Sequence, residues 1–545
     1  MSDVPDHLIG LRGAETTGPR WAAFRELNNR AAMLSNDGRN AEATALLLQA
    51  YELTTVPDVD AAGLDGRARA LANLAALAEG RGEPGEALRY TEEALLACER
   101  AQSEAGNRYG TAAVHASLLI NRAQTLQLVG RLDDALADLD TAMTLTADTE
   151  TVGDDVLVAV MLHNTRSVLL IGLERWEEAE AAARHTLQLA TAHDPRLTGH
   201  PYTNLAVIAQ ALNDHGAALE YLRLAEQVHA AAGDPAAAAL AVANQGRAAM
   251  RMGDFASGQR LLAEAEQAFA DGEEPLRAAE IRFGRAHGAL QSGDVETARA
   301  LLGPALAVLR ESGHTTMLAE ALAVAGDLAA AGAEYEEAEA SYLAAREVYA
   351  ASGARYHLAR IDMRRSFAVS ARCAIAVTAS ESQRLLRAAF DLSLPSALAT
   401  DAIRHQFAPG RAREQWAATV AIPAMAHALH LAAAMQDGAL VSELLEHMSA
   451  TVSLHAPAAP ETVPLAEALG PDPLALDVPE DFGRLSYTAS ALITGLSESF
   501  PATRFALPPR LRVNPWRESQ LEPWIQETER RYGFPIRSDE VIDTW

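Results

Sequence analysis

Six asparagines recur at one position of a repeated frame: Asn29, Asn73, Asn121, Asn164, Asn204 and Asn244. An amide side chain offers an acceptor and two donors, which suits a peptide group whatever side chains flank it. Asparagine is also locally unfavourable inside a helix, so something must offset its presence there. Two readings stay open. In one, each amide caps or bonds within its own repeat. In the other, the amides hold the main chain of a bound partner. Residues four before and three after each asparagine share its helix face. They add Arg69, Ser117, Gln124, His200, Arg247 and His287, a mostly polar wall with scattered arginine suited to a peptide or a carboxyl terminus.

Little else in the sequence could do chemistry. The chain has 45 basic residues, all arginine, and 73 acidic ones, for a formal net charge of -28. Without lysine there is no P-loop, no protein-kinase site and no Schiff base. An acidic surface repels phosphate backbones, which argues against a nucleic-acid partner. Cys98 and Cys373 are too few for a disulfide framework or a zinc knuckle. His427 and His430 share a helix face and His447 could lie near, but no His-Glu-x-x-His stands in the chain. Cys373 and His405 form no nucleophile motif. Acidic pairs such as Asp133-Asp134 and Glu336-Glu337 open helices, where they complement the helix dipole. The reading is of no catalytic residue, no metal and no cofactor.

The elements that carry the asparagines are helix pairs. From Ile120 to Val129 an apolar helical pattern breaks at Gly130, and a second begins near Asp133. Measured from Asn121, Gly130 lies nine residues on, Ala135 fourteen on and Ala142 twenty-one on. The frame recurs as Asn29, Gly38, Ala43, Ala50; as Asn73, Gly82, Ala87, Ala94; as Asn204, Asn213, Ala218, Ala225; and as Asn244, Gly253, Gly258, Ala265. Asn164 fits with one extra turn residue before Ala179. Two later copies lack the asparagine: Gly284, Gly293, Ala298, Ala305 and Val324, Ala333, Ala338, Ala345. Eight units spaced by about 39 to 48 residues predict a helical repeat array. Glycine or asparagine at the turn permits a left-handed residue. The small residues let helix backbones approach closely.

The frame resembles the tetratricopeptide repeat, with Asn-Leu-Ala in the first helix at residues 73–75 and 204–206, and Gly253-Asp254-Phe255 and Tyr335-Glu336-Glu337-Ala338 at the turn. The usual repeat is about 34 residues, so these units are longer. The resemblance runs from Trp21 to Ser352. It implies an all-α helical-hairpin solenoid, wound as a right-handed superhelix, with the asparagine column facing a concave groove that contacts an extended peptide. The family's carboxylate clamp normally also uses lysine, absent here. A weaker resemblance, at Leu394–Trp416 and Leu507–Tyr532, is to actinobacterial repeat proteins accompanying caspase-like CHAT peptidases. It implies an adaptor in a peptidase or defence module.

Around the repeats, residues 1–20 read as an N-terminal segment and 21–353 as the repeat array. Within the array, Pro57–Gly66 reads as a linker. Residues 354–455 read as a divergent helical extension, with helices at Tyr356–Val377, Ser380–Leu392, Pro395–Phe407 and Arg411–Met435, the last kinked at Pro423. Residues 456–485 read as a linker rich in proline and acid, and 486–545 as a tail. Trp516, Trp524, Tyr532 and Trp545 in the tail are expected to dock on the parent body or on a partner. No apolar run is long enough to predict a membrane span and no signal-peptide pattern opens the chain, so a cytoplasmic protein is expected. The function expected is a non-catalytic protein- or peptide-binding scaffold. The alternatives are a signalling-peptide receptor controlling transcription, or an enzyme within residues 354–545.

Overall fold

The structure is a computed structural model. It describes residues 19–36, 39–81, 83–128, 131–146, 155–407, 411–450, 468–469, 472–477, 510–512, 519–537 and 541–543. The fold is an all-α repeat of helix hairpins. Consecutive helices pair as α1 (Ala22–Asn36) with α2 (Asn40–Leu53), α3 (Ala61–Gly80) with α4 (Pro84–Ala105), α5 (Thr111–Leu128) with α6 (Leu132–Thr146), α7 (Asp155–Gly172) with α8 (Trp176–His193), and α9 (Gly199–Ala211) with α10 (His215–Ala232). After α11 (Pro235–Arg251) and α12 (Phe255–Asp271) come the pairs α13 (Pro275–Gln291) with α14 (Val295–Ser312), α15 (Thr315–Ala331) with α16 (Tyr335–Ala351), and α17 (Arg355–Ala374) with α18 (Ala379–Arg404). The frame alanines are the hairpin contacts: Ala43, Ala87, Ala135, Ala179, Ala218 and Ala338 are fully buried.

The contacts divide the chain into two compact units. The first takes in the described residues up to Ala248, with Leu476 and Asp477; the second takes in the rest. The boundary falls inside α11.

The hairpin turns follow from the frame. Asn213, Gly253, Gly293 and Ala333, all nine residues past the frame origin, have φ of 63°, 84°, 83° and 58°. In three of these turns the next residue is an aspartate cap. Asp214, Asp254 and Asp294 accept from the amides of Ala217, Ser257 and Thr297 at 3.0–3.1 Å. Ala333 pays a steric cost that glycine avoids: roughly 1–2 kcal/mol for an L-residue in the left-handed region, against about 0.4–1 kcal/mol of glycine's extra unfolded-state entropy. Ala333→Gly is therefore expected to raise stability by about 0.5–1 kcal/mol in urea melts. A loss would show that this turn relaxes around alanine without strain.

Two local expectations are corrected. Pro57–Gly66 is a linker only to Asp60, whose carboxylate caps α3 by accepting from Gly63. Residue 63 must be glycine because Trp21 lies over it; a Cβ there would stand 2.3 Å from the indole. Ser380–Leu392 and Pro395–Phe407 are not separate helices: α18 runs through Pro395 unbroken, buried against α17. Pro423 follows a π turn at Ala417–Ala421, between α19 (Arg411–Trp416) and α20 (Ile422–Ala434). That wider turn accommodates the missing proline N–H.

The stretch Arg413–Ala434 is, by length and composition, apolar enough to cross a membrane, which the sequence reading had excluded. Trp416, Val420, Ala421, Ala424, Met425, Ala428 and Leu431 of this stretch are buried in the core of the second unit, where packing accounts for their apolar character. Helix α21 (Gly438–Ala450) follows. Two three-residue strands, Arg510–Arg512 and Val541–Asp543, pair in parallel.

The tail docks on its own unit. In helix α22 (Glu522–Tyr532), Trp524 meets Phe390 edge-on at 5.2 Å, and the Tyr532 hydroxyl donates to Asp362 at 3.0 Å. Trp516 and Trp545 lie outside the described residues.

Candidate peptide-binding site

In the first unit the asparagine column is buried, and much of it is spent between repeats. Asn73 donates to the Asn28 carbonyl oxygen at 3.2 Å, and Asn204 to that of Asn164 at 2.9 Å. These bonds link neighbouring hairpins. They also correct the first position. Asn28, not Asn29, is the buried partner of Asn73, and Asn29 is only half-buried. Two adjacent amides could not be told apart by spacing.

What the ladder leaves over is oxygen. The side-chain carbonyls of Asn29, Asn121 and Asn204 are buried and accept no hydrogen bond from the described residues. Asn244, fully buried, shows what such an amide can hold. Its Nδ2 donates to the main-chain carbonyl of Asp477 at 2.6 Å, and its Oδ1 accepts from the Asp477 amide at 2.8 Å. One side chain thus pairs with both polar groups of a single residue's backbone. Beside it, Arg247 donates to the Asp477 carboxylate at 2.6 Å and to the Asn244 oxygen at 3.0 Å. The preceding residue, Leu476, packs against Ala206, Leu222 and Ala248, with Leu219 and Tyr221 alongside.

The other face residues divide by environment. Arg69 is buried, paired with Asp65 at 2.8 Å, and donates to the Tyr109 carbonyl at 3.0 Å; Thr111 donates to the same Asp65. Ser117 bonds back to the Ala113 carbonyl of its own helix. Gln124 reaches across to Thr165 at 3.3 Å. His200 is a core histidine, edge-on to His229 with ring centroids 5.1 Å apart. Burial, then the neighbouring His229, holds its imidazole at about 3.

In the second unit, Leu469 and residues 472–475 lie against arginines. Arg251 holds the Asp472 carboxylate and donates to the Leu474 carbonyl at 3.0 Å. Arg360 donates to the Leu469 carbonyl. Gly284, at the frame position that lacks asparagine, lies under the Pro473 carbonyl; a Cβ there would stand 2.8 Å from that oxygen. His287 bonds Gln291 at 2.8 Å, and burial, opposed by Asp472 and Glu320, lowers its pKa.

Sequence reasoning missed two features of this unit. One is the segment just described, read as a linker; it turns at Asp472–Ala475, where the Ala475 amide donates to the Asp472 carbonyl at 2.9 Å. The other is a buried ionic network. Arg364 donates to Glu320 at 2.5 Å and pairs with Asp327 at 3.3 Å, while Tyr349 donates to Glu320 at 3.1 Å and Tyr342 to Asp327 at 2.7 Å. Arg364 lies forty residues past Val324. Carrying the frame one step further would have found it.

Three of the residues weighed for catalysis or metal binding, His427, His405 and Cys373, have structural partners. His427 bonds Ser366 and Ser370 at 3.2 Å and lies against Phe367. His405 meets Arg413 at 3.0 Å. Cys373 donates to the Ser382 carbonyl at 3.3 Å, and burial pushes the Cys98 thiol up. Among the described residues no three metal-ligating side chains converge.

No protein-family model matches the sequence, and no curated protein does. Solved structures with a similar fold include the apo form of RapI, at 11% identity and a TM-score of 0.45, covering 66% of this chain and 98% of that one. Aspartyl phosphate phosphatase F from Bacillus subtilis matches at 12% identity and 0.42, covering 68% and 94%. Yeast Tom70 matches at 12% and 0.36, covering 78% and 95%. Likenesses of this size carry no inference about binding.

Proposed function

We propose that this chain is a non-catalytic scaffold that binds a protein through an extended peptide segment, using the open asparagine oxygens of its helical repeats. The observation that carries the reading is Asn244, whose amide holds both polar groups of the Asp477 backbone at 2.6 and 2.8 Å. Asn121 occupies the same frame position and keeps a buried, unpaired carbonyl oxygen. A buried acceptor without a donor is costly, so a ligand N–H that reaches it gains more than it would at the surface. The reading places the protein in the cytoplasm. It makes a caspase-like CHAT peptidase, within a defence module, the first partner to try, on the strength of the sequence resemblance.

The test is capture of a partner by the full chain, followed by calorimetry on the native protein and on Asn121→Ala. One or two hydrogen bonds lost should weaken binding by about 1–3 kcal/mol, or about five- to 150-fold. The melting temperature should stay level or rise, since the substitution removes a buried unsatisfied oxygen. Unchanged affinity would end the groove reading. Asn204→Ala does not serve here, because it also breaks the bond to Asn164.

A further inference from the structure

The asparagine that grips a main chain already has an occupant, and the occupant carries information about what else would fit. In the first unit, Leu476 and Asp477 meet three kinds of recognition. The Asn244 amide takes the main chain. Arg247, only 7% exposed, takes the carboxylate. The apolar cluster of Ala206, Leu222 and Ala248 takes the leucine side chain. Asp477 itself is 36% exposed at its side chain, so the fixed half of the contact belongs to the repeats and the replaceable half to the segment. Within the second unit, the residues just before it are held in the same manner: Asp472, 46% exposed, by Arg251, and the carbonyls of Leu474 and Leu469 by Arg251 and Arg360. The partners are main-chain oxygens and carboxylates, with cations drawn from a chain whose net charge is -28. An acidic ligand would be repelled by most of this surface and accepted where these arginines stand.

We infer that Asn244 and Arg247 form a site for an acidic peptide in which leucine is followed directly by aspartate, and that Leu476-Asp477 is a resident competitor for it. This rests on the peptide-binding reading above and adds the ligand's chemistry and its regulation. A tethered competitor acts at a high effective concentration, so external peptide sees a site that is free only a fraction of the time. Apparent affinity is reduced by that fraction. Removing the competitor restores it.

The experiment uses the full chain and a fluorescein-labelled decapeptide, Gly-Pro-Asp-Pro-Leu-Ala-Leu-Asp-Val-Pro, copied from the sequence at 470–479. Anisotropy should give weak binding to the native protein, and binding about tenfold tighter or more to a chain carrying Leu476→Ala and Asp477→Ala. Adding Asn244→Ala or Arg247→Ala to that chain should abolish the gain, as should leucine-to-alanine changes in the peptide. On the native protein, excess peptide should speed hydrogen exchange at the Asp477 amide, which the Asn244 oxygen otherwise protects. This readout needs no substitution, so it decides the matter even if the doubly substituted chain folds poorly. Tightening that survives Asn244→Ala, no tightening in a normally melting double variant, or an Asp477 amide indifferent to peptide would each overturn the inference. A captured partner that depends on Asn121 while the decapeptide fails would overturn this inference alone. A decapeptide that behaves as described beside a partner indifferent to Asn121 would remove the broader groove reading instead.

Discussion

Replacing Glu320 with alanine is expected to destabilise the second unit by about 3–5 kcal/mol. Glu320 is buried on α15 and receives Arg364 at 2.5 Å and the Tyr349 hydroxyl at 3.1 Å. Burial works against its charge, yet Arg364 and Arg360 together hold the carboxylate at about 2. The substitution leaves those two guanidinium groups buried and mutually repelling, with Asp327 alone to balance Arg364. Neither arginine escapes by losing its proton, because guanidinium stays charged in proteins. Glu334→Ala provides the contrast: it breaks a pair with Arg299 in which both side chains are nearly half exposed, worth about 0–1 kcal/mol. Urea melts followed by fluorescence from Trp416 and Trp524 would compare the two. Equal losses would mean that the buried network is not what holds these hairpins together.

The second large effect is an acid limb. His200 in the first unit and His405 in the second are both held at about 3. Burial is the main cause, joined by His229 for the first and by Arg413 and Arg404 for the second. His447 is held at about 4 by burial and by Arg537 and Arg404. An unfolded histidine takes its proton near 6.5. Between that pH and about 3 to 4, the unfolded chain therefore binds protons that the fold refuses. The stabilisation is fully present above about 6.5 and is lost as the pH falls. At pH 4.5 each of the three would subtract on the order of 2 kcal/mol. Glu79 adds a slope of the opposite sense to the first unit. Burial raises its carboxyl to about 7, so the fold holds a proton that the unfolded chain releases above its ordinary 4.5, and stability falls as the pH rises between the two. Denaturation of native protein and of His200→Gln at pH 7 and pH 4.5 checks the sign. The variant should lose less on acidification; an equal loss would place the acid sensitivity elsewhere.

The hairpins were legible because their turns demand particular residues. Asn213, Gly253 and Gly293 stand where the backbone turns left-handed, and the aspartate after each of them completes the signal. Even Ala333, with no residue preference in its favour, lay where the frame put the turn. The ninth pair, α17 with α18, was not legible. Arg364 replaces the frame asparagine, and a proline within α18 looks like a break when its neighbours in space are unknown.

The site was legible only in type. Spacing identified a polar column but could not show that Asn73 and Asn204 spend themselves on the previous repeat, since the sequence does not say which amides meet. The partner of Arg69 was illegible for a local reason. With Pro57–Gly66 taken as a linker, Asp65 fell outside any helix, and its pairing four residues from Arg69 could not be seen.

The ladder's polarity has a consequence for what the groove can admit. Its bonds use the oxygens of Asn28 and Asn164 as acceptors, while those of Asn121 and Asn204 stay open. At Asn244 the oxygen is met by a backbone amide. A ligand read by such a column must bring an N–H to each position it touches, and proline has none. On the proposed peptide-binding reading, the column is a filter against imino acids at the contacting positions. The chain's own segment obeys it: Asp477 faces Asn244, and Pro473 lies over Gly284, where the column lapses.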